Sequence, residues 1–105
     1  AYKKRLDAEA HALNVSCVAV GTVTDVATSC RDIFKSVILS NATGIFLFHN
    51  HPCGVSVTPS KEDNNVTREV AECCNLFGIR LLDHIIVNGT EDFYSYRKQS
   101  RIFIP

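Results

Sequence analysis

The sequence has no surplus of either charge. Eleven Lys and Arg residues stand against eleven Asp and Glu among 105 residues, so the chain lacks the global positive field that draws proteins to nucleic-acid phosphates. It also lacks any CxxC pair, and its five cysteines (Cys17, Cys30, Cys53, Cys73, Cys74) form an odd set. That argues against a disulfide framework and against a cysteine-rich zinc knuckle. A reducing, cytoplasmic setting is the simpler expectation. No run approaches the roughly twenty apolar residues of a membrane span, and the first residues lack the apolar core of a signal peptide, so a soluble chain with no membrane partner is expected. There is no internal repeat, low-complexity tract or Pro/Gly/Ser-rich linker, and the polar stretch from Asn50 to Pro59 is too short to separate two domains.

What is present fits one compact domain spanning residues 1–105, with 46% hydrophobic side chains to build a single core. NVSCVAVG, from Asn14 to Gly21, is rich in β-branched residues and closes on glycine, which predicts a strand and a turn. The preceding YKKRLD predicts a strand more weakly. Between Arg31 and Asn41 the apolar residues Ile33, Phe34, Val37 and Ile38 recur at helical spacing, with Asn41 and Gly44 as a stop. GIFLFH, from Gly44 to His49, is a short apolar run that predicts a strand buried on both faces. From Ser60 a second helix carries Val66, Val70, Cys73, Cys74 and Phe77 on one face and stops at Gly78. IRLLDHIIV, from Ile79 to Val87, predicts a strand, Asn88-Gly89 a turn, and Phe93 to Tyr96 a returning strand. Alternating strands and helices predict a layered α/β domain.

The chemistry concentrates in His49-Asn50-His51-Pro52, followed by a glycine-containing loop and Ser60-Lys61-Glu62-Asp63. Residues two apart on an extended backbone point to one side, so His49 and His51 at a strand's end can present both rings to one ion. A strand-loop-helix return can bring Asp63, one turn into the helix, beside them. Two imidazoles and one carboxylate suit zinc and leave its fourth tetrahedral position open for water, whose pKa zinc lowers toward neutrality. The competing reading is plain: S-x-x-D is also a helix-capping pattern, with Asp63 favoured by the helix dipole.

HNHPCGVSVTPSKED resembles the H-x-H-P, loop, S-x-x-D signature of the JAB/MPN (JAMM) metallohydrolase superfamily, and its HNHP-x-G form resembles the RadC family specifically. Downstream, DNNVTREV, LFGIRLLDHIIV and FYSYR resemble the RadC pattern through its second helix and last strands, and the helix beginning Arg31-Asp32-Ile33-Phe34 matches in position. The similarity covers roughly residues 6 to 100. It implies a cytidine-deaminase-like α/β fold with a mixed sheet flanked by helices, zinc held by His49, His51 and Asp63, and a serine, Ser60, that helps polarise a substrate carbonyl.

Four departures bear on activity. Active members of the superfamily use a glutamate upstream of the histidines, and none is found here; if Leu6-Asp7 matches the end of the family's first strand, the glutamate falls at or before residue 1. The expectation is therefore a chain lacking the N-terminal part of that strand. Glu9 is the nearest substitute but follows the expected strand. Asp32 stands where RadC proteins carry a glutamate after proline and arginine, but its preferred reading is an N-terminal helix charge. Cys53 stands where the family has serine, and its thiolate competes with Asp63 for zinc or simply fills a turn. The loop from Cys53 to Pro59 is one residue longer than the common family form, which would displace Ser60 and Asp63. His84, in an Asp-His pair that resembles RadC, either steadies the site from behind the ligands or is an ordinary buried histidine.

The leading functional expectation is a zinc-dependent hydrolase of peptide or isopeptide bonds with a peptide or protein substrate. The alternatives are a catalytically inactive zinc-binding interaction module, and the DNA-repair association carried by the RadC name. The charge balance gives the last no support, since Lys3, Lys4 and Arg5 read as a solvated strand edge.

Overall fold

The structure is a computed structural model that describes residues 15–20 and 26–99. The expected YKKRLD strand, Glu9 and the basic cluster lie outside the described residues. In chain order the elements are β1 (Val15–Val20), α1 (Val26–Leu39), β2 (Gly44–Asn50), α2 (Lys61–Phe77), β3 (Arg80–Val87), β4 (Phe93–Ser95) and the short α3 (Tyr96–Gln99). The sheet order is β1-β2-β3-β4. β1, β2 and β3 run parallel, each crossover carrying a helix, and β4 returns antiparallel beside β3. This is the layered α/β domain that the alternation of elements predicts, with the mixed sheet that the family resemblance implies.

Two element boundaries differ from the sequence reading. α1 begins at Val26, five residues before Arg31, so Asp32 sits in mid-helix, exposed, and not at a helix N-terminus. The reading began where the apolar periodicity begins, and the first turn contributes no such stripe. Tyr96, expected at the end of the last strand, instead opens α3 and is buried. Its hydroxyl donates to Asn64 Oδ1 at 2.7 Å, tying α3 to the first turns of α2.

Both long helices stop in the same way. Asn41 (φ 55°) and Gly78 (φ 68°) take the left-handed conformation. Behind them Ala42 N–H donates to Val37 O and Ile79 N–H to Cys74 O, the bonds that occupy orphan carbonyls at a helix C-terminus. Glycine meets that backbone requirement at no steric cost, and asparagine is the side chain that best tolerates it.

The core lies between the helices and one face of the sheet. Ile33, Phe34 and Val37 from α1 and Val66, Val70 and Cys74 from α2 meet Ile45 and Leu47 of β2 and Leu81 and Ile86 of β3. Full burial of side chains of this size contributes roughly 1.5–3 kcal/mol each. Alternation along β3 is broken once. Ile45 pairs with Leu81 but Phe46 pairs with Asp83, which leaves Leu82 as an extra residue in a bulge. Partners side by side in a sheet share a face, so beyond the bulge His84 lies beside Leu47 and Ile86 beside His49. The bulge thereby sets His84 on the helix-facing side, together with His49.

Candidate metal centre

β2 ends at Asn50, and its pairing with β3 extends one residue further because His51 N–H donates to Val87 O at 2.8 Å. That bond keeps the backbone extended through His51, so His49 and His51 project to one side. Their rings meet edge to face with centroids 4.9 Å apart. Pro52 to Val55 then form a tight turn closed by Val55 N–H to Pro52 O, with Gly54 at φ 78° in the position where a type II turn requires a positive angle. Asn88, buried at the end of β3, holds the loop down by donating from Nδ2 to Val55 O at 2.7 Å.

The loop returns the chain at Ser60, the N-cap of α2. Asp63 N–H donates to Ser60 Oγ at 3.1 Å, and Ser60 N–H donates to Asp63 Oδ2 at 2.8 Å, a complete capping box. The carboxylate is 1% exposed. Its Oδ1 lies 2.8 Å from His49 Nδ1 and its Oδ2 3.0 Å from His51 Nε2. Capping and convergence, set against each other in the sequence, are both present in one side chain. The displacement expected from a longer loop does not occur: the loop delivers Asp63 to both histidines.

Hydrogen-bond chemistry tests whether these three residues suit a metal. His51 Nδ1 lies 2.8 Å from Ser56 O, and a carbonyl can only accept, so Nδ1 carries a proton. On a neutral ring Nε2 is then a bare lone pair facing a carboxylate oxygen. The His49 contact is short but lacks hydrogen-bond geometry, and its buried Nδ1 has no hydrogen-bond partner among the described residues. Distance alone would make this an ion pair; the angles and the orphaned nitrogen argue instead for groups facing a shared position. One ligand atom from each of His49, His51 and Asp63 lies within 4.8 Å of the others, a spacing that suits one metal ion. Two imidazole nitrogens and a carboxylate oxygen are donors for a borderline divalent cation.

Electrostatics act in opposite senses on the two rings. Burial lowers the His49 pKa, an effect that the nearby Asp63 charge opposes and His51 reinforces. Burial also disfavours charge on His51, but the Ser56 carbonyl and Asp63 outweigh it and raise its pKa. Burial acts to raise the Asp63 pKa and is outweighed by the Ser60 N–H, His51 and His49, so the carboxyl is held below its usual range. The group is thus a buried carboxylate between two imidazoles.

Of the remaining candidates, Ser60 is at the rim, exposed, with its hydroxyl oxygen accepting the cap bond. Cys53 is exposed in the turn, lies against Gly89 and is not part of the ligand-spaced group. Asp32 is distant in sequence and belongs to the exposed side of α1. His84 is fully buried behind the centre, its Nδ1 2.6 Å from Thr67 Oγ1, which in turn donates to Asp63 O at 2.8 Å. Sequence reading missed Thr67; its place one turn after Asp63 on the buried helix face was the available signal.

The chain is similar to known proteins over most of its length. A family model described as RadC-like JAB domain matches residues 4–101. A UPF0758 protein of Symbiobacterium thermophilum is 37% identical over 94 residues, covering 90% of this chain and 39% of that protein. A UPF0758 protein of Streptococcus sanguinis is 38% identical over 95 residues, covering 90% and 41%. One from Thermotoga maritima is 33% identical over 97 residues, covering 92% and 43%. The chain spans about two fifths of the length of these curated relatives. No solved structure matches.

Proposed function

The chain belongs to the RadC-like JAB domain family, and from that premise we propose that it is a zinc-dependent hydrolase of peptide or isopeptide bonds. The observation that carries the reading is the convergence of His49, His51 and Asp63 donor atoms within 4.8 Å, with a buried imidazole nitrogen that no described residue hydrogen-bonds. Those three residues would hold the ion. When bound, zinc supplies Lewis acidity and an acidified water at neutral pH. Ser60 would assist: its oxygen accepts the Asp63 N–H, which holds that oxygen in place, and its own hydrogen can be donated to a carbonyl oxygen gaining negative charge. Exposure of Ser60 at the rim leaves it accessible to a polypeptide substrate. All five cysteines are free, which supports a reducing, cytoplasmic location, and no helix among the described residues is long and apolar enough to cross a membrane.

A second reading, a zinc-binding module without turnover, has one observation in its favour. Among the described residues Asp63 is the only carboxylate in the ligand-spaced group, and it is committed to the cap and to both histidines. A separate proton acceptor is therefore not part of that group.

Elemental analysis of the chelator-stripped, zinc-reloaded chain beside His49→Ala and Asp63→Ala tests the site. The expectation is about one zinc per chain, lost in both variants. Retention of zinc by His49→Ala would refute the ligand assignment. Cleavage of isopeptide-linked and linear peptides by the loaded chain then separates hydrolase from module.

A further inference from the structure

Thr67 stands one turn after Asp63 on α2, and its hydroxyl has three polar neighbours: Asp63 O at 2.8 Å, His84 Nδ1 at 2.6 Å and the Tyr96 hydroxyl, whose own hydrogen goes to Asn64 Oδ1. A hydroxyl has a single hydrogen. Since the carbonyl oxygen can only accept, that hydrogen goes to Asp63, and His84 Nδ1 must donate to Thr67. The tautomer is thereby fixed, with Nε2 bare. His84 is fully buried, and its Nε2 has no hydrogen-bond partner among the described residues. Burial, reinforced by the neighbouring histidines, pushes its pKa down to about 4, so the ring is neutral and the assignment is consistent.

A threonine bonding back to the carbonyl four residues earlier is ordinary in helices and by itself says nothing. The donor standing behind it is what differs. The His84 ring lies nearly parallel to His49, at 6.2 Å between centroids and 10°, and parallel to Tyr96 at 4.8 Å and 9°. Both separations fall in the range of attractive aromatic pairs. His84 therefore reaches two of the three donors by separate routes: the His49 ring through its face, and the Asp63 turn through Thr67. The bulge at Leu82 is what brings it to that side of the sheet.

We propose that His84 and Thr67 are positioning residues for the metal centre, holding the Asp63 turn and the His49 ring in the receiving arrangement before an ion arrives. This rests on the metal-binding reading above. Partners behind the ligands typically alter metal affinity ten- to hundredfold when removed, because the bare site must otherwise be ordered at the cost of binding.

The test is zinc affinity of the chelator-stripped chain, measured by competition with a chromophoric chelator, beside the thermal midpoint of the metal-free chain. Thr67→Val keeps shape and removes the hydroxyl; His84→Phe keeps an aromatic ring and removes the donor. Each is expected to weaken zinc binding about tenfold or more. The double variant should lose little beyond the worse single variant, because one chain of contacts is broken either way. Thr67→Ser, which retains the hydroxyl, should restore affinity. A merely structural role would lower the metal-free midpoint without this coupled loss and rescue. Wild-type affinity in Thr67→Val and His84→Phe, or losses that simply add, overturns the proposal. If His84→Phe does not fold, Thr67→Val against Thr67→Ser decides alone. Zinc bound by the wild type, lost in His49→Ala and unchanged in Thr67→Val sinks the relay only, whereas no zinc on the wild type sinks the relay and the metal reading together.

Discussion

Ser60 and Asp63 bond each other twice, main-chain N–H of each to the side-chain oxygen of the other, at 2.8 and 3.1 Å. The same Asp63 carboxylate faces both imidazoles. The start of α2 and the candidate donor set thus share one side chain, and a change at Asp63 strikes folding and metal binding together. Ser60 allows the two to be separated.

Ser60→Ala removes the capping oxygen and is expected to cost about 1 kcal/mol of stability, whereas Ser60→Gly should cost only a few tenths. Urea denaturation of the metal-free variants measures both. Equal losses would mean that the cap contributes little. With an active preparation, Ser60→Gly then reports the hydroxyl's part in turnover nearly free of the folding effect.

A second expectation concerns pH. His84 titrates near 6.5 when unfolded and about 4 in the fold. Between these values the unfolded chain binds the extra proton, so the stability of the metal-free fold falls as pH drops from 6.5 toward 4, by on the order of 3 kcal/mol. His51, with its raised pKa, acts in the opposite sense: its contribution is full below the unfolded pKa and is lost as pH rises through the folded one. It lies nearer the surface, where solvent screens it, so the His84 effect should dominate. Denaturation midpoints in chelator across this window check the sign; a flat profile would contradict a neutral, buried His84.

β3 offers a test of the bulge. Strict alternation from Leu81 would place Ile85 in the core, while the observed register places Ile86 there, fully buried beside His49. Ile86→Ala should cost about 2–5 kcal/mol and Ile85→Ala distinctly less. The reverse order would place the bulge elsewhere.

Cys53→Ser should leave zinc content unchanged, because Cys53 is exposed and outside the ligand-spaced group. Loss of metal in that variant would make the thiolate a ligand.

Much of this was legible in the sequence because it rests on local rules. The β-branched run at Val15–Val20, the apolar run at Gly44–Asn50 and the Ser60-to-Gly78 helix emerge with boundaries shifted by one or two residues. The H-x-H spacing and S-x-x-D pattern named the residues that converge. What stayed hidden depends on tertiary pairing. A bulge without glycine leaves no local trace, so the face taken by His84 could not be read from alternation. Thr67 is an unremarked polar residue until His84 is placed against it. The early start of α1 at Val26 was missed because Val, Ala and Thr there carry no apolar periodicity and Val and Thr are weak helix formers.

The donor set contains two imidazoles and a single carboxylate. A divalent ion held there would be only half neutralised, and the third imidazole beside it is kept uncharged by its surroundings. The centre would then present a residual positive charge at the rim of an otherwise charge-balanced protein. Small anions should collect at it, so phosphate or carboxylate buffers would compete with any substrate and mask weak turnover in a first assay.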